Sequence, residues 1–406
     1  MERADVALGA LIAAYAAADS GEGLRATLPL AGRALIERQV RLAADAGATH
    51  IVILVERLPA ALTGAIDRLR RDGLAIDIAR SVADAADRFH PDERLLFVAD
   101  GFAGDAALFA AMAEAPPPAL LTIADGPEAE EFERIDALSR WAGLATVDGG
   151  TLRRTAAMLG DWDLQSTLLR RTVQAGPQRV DARTVGRARI ASDPATLEEI
   201  ASSLVAASRS RARGWPARFL FPAIEAPLLN RLVRSAVEPS LLSASAIVFT
   251  LLAALGMALG WLWTGLVLLL LAGPFESTAR RLAAVRLSRE RSKAMLARTR
   301  AALAALALLG LSNSLATAGN WGCWPLALAI IAFLAATRGE RLLMRRLGGN
   351  DAALSLWIAR IDSLAWAYLP FAATGYWRAG LGALAIYAAA SFFAVQRRAL
   401  DAARQE

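Results

Sequence analysis

Three acidic side chains stand where a carboxylate could do chemistry. Asp100 follows the aliphatic run Leu95 to Ala99, which has the length and composition of a buried strand. The carboxyl end of such a strand is where open α/β sheets bind ligands, although an aspartate there also serves as an ordinary turn residue. Asp362 lies inside the apolar stretch Ala352 to Thr374 with Arg360 close by. An ionisable group in hydrocarbon is costly and faces a polar cavity or a partner; Asp362 is therefore a catalytic candidate or half of a buried ion pair with an arginine from the second or third apolar run. Glu276 is the other candidate, with the bland alternative of an i,i+4 pair with Arg280. Arg280 and Arg281 end the same apolar run and are placed to attract a phosphate or a lipid headgroup. Trp141, Asp161 and Asp163 combine aromatic and acidic groups suited to a sugar or polyol phosphate, unless Asp163 merely caps a helix on which Trp162 packs.

The elements that position these groups fall into two halves, divided near Trp215. Six apolar runs follow that point, at Leu241 to Gly260, Leu262 to Thr278, Ala301 to Ala318, Trp321 to Ala336, Ala352 to Thr374 and Ala379 to Val395. Each approaches the roughly 20 residues of a bilayer crossing. Arginines crowd alternate connections: Arg211, Arg213, Arg218, Arg231 and Arg234 precede the first run, and eight basic residues from Arg280 to Arg300 separate the second from the third. Arg338, Arg341, Arg345 and Arg346 follow the fourth run and Arg397, Arg398 and Arg404 the sixth, whereas the opposite connections hold only Arg378. The positive-inside rule then places both termini in the cytoplasm of a bacterial-type inner membrane.

The first half reads as an α/β domain with short aliphatic strands at Ile51 to Val55, Ala75 to Ala79 and Leu95 to Ala99. Leu35, Ile36, Val40, Leu42 and Ala43 form a helical stripe that Gly47 can end, giving the strand-helix-strand unit of a parallel sheet. Helices are expected over Leu58 to Asp72 and Ser81 to Phe89, and Ala10 to Ala18 is a core strand or helix. The resulting boundaries are an α/β domain over 1–182, a linker over 183–214, an interfacial amphipathic helix over 215–240 and a six-span all-α membrane domain over 241–400. The net charge of +6 comes from the membrane loops, so anionic lipid is the expected partner and nucleic acid is not. Cys323 is the single cysteine and His50 and His90 are the two histidines, which leaves no cysteine zinc cluster, internal disulfide or His-rich metal site. No cleaved signal peptide is expected, because a basic region followed by an apolar core is missing from the first residues.

The stretch LPLAGRALIERQVRLAADAGATHIVILVER resembles a segment of the sugar-nucleotidyltransferases, and the resemblance covers about the first 180 residues. It implies a Rossmann-like α/β fold with a Gly-rich loop whose N–H groups hold nucleotide phosphates. Gly21 and Gly23 would be the remaining loop glycines and Arg25 the neutralising cation, within ALIAAYAAADSGEGL and the residue after it. Asp100 would hold the divalent metal, Mg²⁺, of a CDP- or CTP-type nucleotide. The family's Gly-x-Gly-x-Arg signature is not intact here, so the nucleotide loop is eroded.

Residues 215 to 400 resemble the CDP-alcohol phosphatidyltransferases, some of which are fused behind a nucleotidyltransferase domain. Their signature D-x-x-D-G-x-x-A-R, eight residues, G-x-x-x-D-x-x-x-D places aspartates around two divalent cations, one aspartate deprotonating the attacking alcohol. Aligned on Ala279 and Arg280, the four acidic positions become Ala272, Phe275, Lys293 and Ala297, and the glycines Glu276 and Arg289. A shift of one residue gives Gly273, Glu276, Ala294 and Arg298. Neither register supplies the oxygens that two Mg²⁺ ions need, so no metal is expected in the membrane domain. The resemblance implies phospholipid or polyol-phosphate lipid synthesis. It favours a catalytically degenerate ligand-binding or scaffolding relative, acting as a homodimer or beside a lipid-synthesis enzyme, over a divergent active transferase.

Overall fold

A computed structural model describes residues 7–19, 21, 23–158, 163–209, 214–235, 237–288, 293–316, 322–346 and 356–403. Two compact units divide the chain, Met1–Leu204 and Val205–Glu406. Asp161, Trp162, Arg211, Arg213, Arg289, Arg291, Trp321, Ala352 and Arg404 lie outside the described residues.

The first unit is built on a mixed sheet. Its principal strands are β1 (Leu8–Ala13), β2 (His50–Leu54), β3 (Ile76–Ala79), β4 (Arg94–Val98), β5 (Ala119–Ala124), β6 (Ser139–Asp148) and β7 (Gln178–Asp181). Their order across the sheet is β7-β5-β6-β4-β1-β2-β3. Strand β6 runs antiparallel to both neighbours, and the other pairings are parallel. All six residues of β1, LGALIA, are buried, as expected of a central strand covered on both faces. Helix Leu35–Asp45 buries the Leu35, Ile36, Val40, Leu42 and Ala43 stripe and stops before Gly47, whose φ of 103° suits the reversal into β2. The helices expected at Leu58 to Asp72 and Ser81 to Phe89 are Ala60–Arg71 and Val82–Asp87.

Because β2 and β4 flank β1 on opposite sides, the connections leaving β1 and β4 diverge and open a crevice at their carboxyl ends. A bulge between Trp141 and Ala145 bends β6 beside it. Gly143 turns there with φ of 87°, and a Cβ at that position would meet the Phe102 ring at 2.6 Å.

The expected linker over 183–214 is a correction. Residues Ala188–Ile190 form a strand paired antiparallel to Phe102–Gly104, and Pro194–Arg209 is a helix with Leu197 and Ala201 buried. Backbone hydrogen bonding to a strand that follows Asp100 fastens this polar stretch to the α/β unit.

In the second unit, helices Trp215–Phe219 and Phe221–Val233 stand where one interfacial helix was expected, the break falling at Leu220. Phe221, Glu225, Leu229 and Val233 recur every fourth residue and are buried, whereas Phe219, Ile224 and Arg231 are exposed. Among the described residues five further helices have the length and hydropathy to cross a membrane: Pro239–Ala258, Leu262–Val285, Ala294–Ala316, Cys323–Leu342 and Trp377–Asp401. Gly265 and Gly310 allow close packing, since an added Cβ would lie 2.9 Å from Ala253 O and 3.0 Å from Ala258 N respectively.

The expectation of six full-length spans is corrected at the fifth. Helix Ile361–Ala373 has 13 residues, about 20 Å at 1.5 Å per residue, against roughly 30 Å of hydrocarbon. Its start is set by Arg360, which is extended with φ of −137° and ψ of 165°. The preceding non-helical residues Ile358 and Ala359 are buried, and Ala359 N–H donates to Ser391 Oγ at 2.9 Å. Irregular backbone at membrane depth requires this kind of internal partner.

Candidate functional site

After β1 the chain turns at Tyr15 and Ala16, and both backbone N–H groups donate to Asp100 Oδ2 at 2.7 Å. Asp100 thus ties the loop after β1 to the end of β4. It is 5% exposed, and its other oxygen, Oδ1, has no hydrogen-bond partner. Burial pushes its pKa up to about 6, opposed by backbone hydrogen bonds from Ala16, Tyr15 and Gly101 and by the Arg25 charge. Gln165 Oε1 accepts from Asp100 N–H at 3.3 Å.

These groups border a cavity of about 410 Å³ whose lining includes Tyr15, Phe132, Trp141 and Gly143. Its charged lining is Asp100, Glu130, Glu131, Glu133 and Asp163 against Arg25. Asp163 caps helix Leu164–Gln174, accepting from Ser166 N–H at 2.9 Å through Oδ2, and accepts from Tyr15 O–H at 2.8 Å through Oδ1. Burial first, and then the Asp163 carboxylate, raise the Tyr15 phenol above its ordinary range. Burial also raises Glu133, against the lowering effect of a Ser166 hydrogen bond. Trp141 stacks on Phe97 at 5.9 Å and donates to Leu144 O at 2.7 Å, so packing holds its ring in place.

Arg25 and Asp100, expected as phosphate and metal ligands, do meet at this cavity. Arg25 is partly committed elsewhere, with Nη2 3.0 Å from Asp19 Oδ1 and Nε donating to Ala17 O at 3.2 Å. A hydrogen bond from Ser192 and then Arg25 hold the Asp19 carboxyl below its usual range. Gly21 and Gly23 have φ of 75° and 85° and do not line the cavity. They shape a local turn in which Gly21 N–H donates to Ala18 O and Gly23 O accepts from Ala18 N–H. A phosphate loop instead aims its amides at the ligand. Of the two Asp100 oxygens only Oδ1 accepts no hydrogen bond, and it is enclosed by protein, so the ligands of an octahedral Mg²⁺ would come largely from nucleotide phosphates and water. Among the described residues no three His, Cys, Asp or Glu side chains converge in a metal-binding group.

The cavity residues that sequence reading missed are Tyr15, Gln165 and the acids Glu130, Glu131 and Glu133. The acids form a visible cluster in GPEAEEFE, but an acidic run in a loop ordinarily reads as a solvated surface. Trp141 and Asp163, read as sugar or polyol-phosphate contacts, border the cavity, and Asp163 is also the helix cap of its alternative reading.

In the second unit the membrane-side candidates are neutralised. Glu276 Oε1 lies 3.5 Å from Arg280 Nε, and Asp362 lies 2.5 Å from Arg300 and 3.9 Å from Arg280. Arg281 turns to a different acid, placing Nη1 2.6 Å from Glu225 Oε2 and Nε 3.2 Å from Ser208 Oγ, with Nη2 unpartnered. Gly273 makes room for the Asp362 pair, since a Cβ there would lie 3.1 Å from Asp362 Oδ1. Arg300, in the helix of the third apolar run, is an arginine of the kind expected to pair with Asp362, whereas the Arg281–Glu225 pair was not anticipated; both pairs join residues more than fifty positions apart. Ala272 and Phe275 stand where the resembling family has acids, and Phe275 packs edge-on against Phe249 at 5.2 Å. The Lys293 side chain lies outside the described residues.

No family model matches the chain, and no curated protein matches it. A solved structure similar to it is the CTP:phosphocholine cytidylyltransferase from Streptococcus pneumoniae, at 10% sequence identity and a TM-score of 0.38. That likeness covers 49% of this chain and 100% of the other.

Proposed function

We propose that this chain is an integral membrane protein related to phospholipid or polyol-phosphate lipid synthesis, in which the membrane half binds an anionic headgroup without transferring it. In this reading the second unit is a catalytically degenerate relative of the CDP-alcohol phosphatidyltransferases, and the first unit is nucleotidyltransferase-like. The observation that carries it is the pairing of Glu225, Glu276 and Asp362 with Arg281, Arg280 and Arg300. Carboxylates so paired are poor candidates for gathering two Mg²⁺ ions, each of which needs several oxygen ligands. Arg280 keeps donors for a phosphate, because it is 41% exposed at its side chain and its two acidic contacts are long.

In this reading both termini are cytoplasmic and the protein acts as a homodimer or as a scaffold for an active enzyme of the same pathway. Incubation of the full chain in detergent micelles with CDP-linked donors and Mg²⁺ tests it, with CMP release as the readout. No release above a no-protein control is expected. Metal-dependent release abolished by Glu276→Gln would establish the alternative, a divergent active transferase.

A further inference from the structure

We propose that the outward face of helix Ala294–Ala316 is a pairing seam for a second copy of this chain, closed by the Asn313 amides of the two copies. The helix packs against Pro239–Ala258 and Cys323–Leu342. Its inner side carries Arg300, Ala307, Gly310 and Leu311, all buried, and Ser314 also turns inward, its Oγ donating to Met257 O at 2.6 Å. The other side is open: Met295, Thr299, Ala302, Leu306 and Asn313 are exposed and Leu309 is half-buried. These six residues recur at alternating steps of four and three. That is the seven-residue pattern by which two helices pack at a crossing angle of about 20°.

Asn313 gives the second and independent reason. It lies thirteen residues beyond Arg300, the last basic residue before the apolar run, which is about 20 Å at 1.5 Å per residue and so inside roughly 30 Å of hydrocarbon. Its amide is exposed and makes no hydrogen bond among the described residues. Facing lipid, it would lose its water partners and gain none. An amide has both donor and acceptor groups, so a parallel copy related by a twofold axis along the membrane normal brings to it its own complement. Both copies hold the same orientation in the bilayer, and like layers therefore meet, Leu306 on Leu306 and the small Thr299 and Ala302 on their equivalents. A single Asn in such an apolar seam fixes its register and the number of helices. The proposal rests on the homodimer of the reading above and names the face that forms it.

Disulfide trapping of the full chain in phospholipid vesicles tests the seam. Ala302→Cys and Leu306→Cys are compared with Leu255→Cys and Ile386→Cys, at exposed residues of other helices, and the parent, whose Cys323 is buried, is the blank. With a copper-phenanthroline oxidant the two seam variants should give roughly tenfold more cross-linked dimer than the two controls. In a second measurement, energy transfer between copies carrying donor and acceptor fluorophores fused at the C-terminus gives the dissociation constant in the same vesicles. Asn313→Leu should weaken association roughly three- to tenfold, the range of an interhelical hydrogen bond, with the thermal midpoint near that of the parent, and Asn313→Gln should keep most of it. Cross-links at Leu255→Cys or Ile386→Cys with none at the seam, or association unchanged in Asn313→Leu, would overturn the seam and leave the homodimer. A monomer at every lipid dilution would overturn both. The CMP-release measurement tests the chemistry of the membrane half and depends on none of these outcomes.

Discussion

Asp100 is held by two backbone N–H groups and yet sits too deep for an ordinary carboxyl pKa. Burial outweighs the donors and raises it to about 6, so ionisation costs the folded state relative to the unfolded chain. Stability contributed by this group is full below about pH 4, falls as pH rises through the interval up to about 6, and stays lowered above it. Asp100→Asn keeps an oxygen for Tyr15 and Ala16 and removes the charge; thermal melts should show it more stable than the parent at pH 8 and no more stable at pH 4. The gain is bounded by the shift from 3.8 to about 6, about 3 kcal/mol at 1.36 kcal/mol per unit. An equal effect at both pH values would reject the buried charge as its cause. Asp362 is the opposite case, a carboxylate matched to Arg300 at 2.5 Å. Asp362→Ala strands a guanidinium that is 7% exposed at its side chain, and detergent melts should show a loss of roughly 3 to 5 kcal/mol. Arg300→Met combined with Asp362→Leu should recover most of it, and failure to do so would mean that Asp362 acts beyond this pair.

The elements are placed by signals of unequal range. Helix Leu35–Asp45 follows from its own apolar stripe and Gly47, and β1, β2 and β4 follow from short aliphatic runs bounded by polar residues. Helix Ile361–Ala373 does not follow in the same way. Hydropathy joins Ala352 to Thr374 into one run, while the Asp362–Arg300 pair and the hydrogen bond from Ala359 N–H to the Ser391 hydroxyl tie its middle to other helices. Whether the stretch from Leu356 to Ala373 crosses the bilayer sets the side of the C-terminus. Reporter fusions at Gly319 and Glu406 should fall on opposite sides, because the buried non-helical residues Ile358 and Ala359 lengthen the segment ahead of the short helix, Ala359 N–H donating to Ser391 of helix Trp377–Ala403. The same side for both would mean that five helices cross and this one does not.

At the scale of the molecule, an α/β unit carrying an acidic cavity is joined to a helical unit with five helices suited to a membrane. Alkaline carbonate washing of membranes should leave the full chain in the pellet, since about 20 apolar residues per helix anchor it by hydrophobic transfer rather than by charge. Release into the supernatant would refute integral insertion. The +6 charge is then distributed unevenly, with arginines in the membrane half and a concentration of acids at the cavity of the other.

The sequence by itself determined the division near Trp215, the alternation of strand and helix before it and the apolar helices after it, because periodicity and hydropathy are local properties of the chain. It also pointed to Asp100 at a strand end and to Asp362 as a charge needing a partner. Only the tertiary structure decided which partner. Arg300 reaches Asp362, Arg281 reaches Glu225, and Tyr15, Glu133 and Asp163 come to the same cavity as Asp100. Those groups lie tens of residues apart along the chain, and only the sheet order and the helix packing bring them together. The physical reason is that an ion pair or a cavity is a relation between distant segments, carried by no run or spacing within either one.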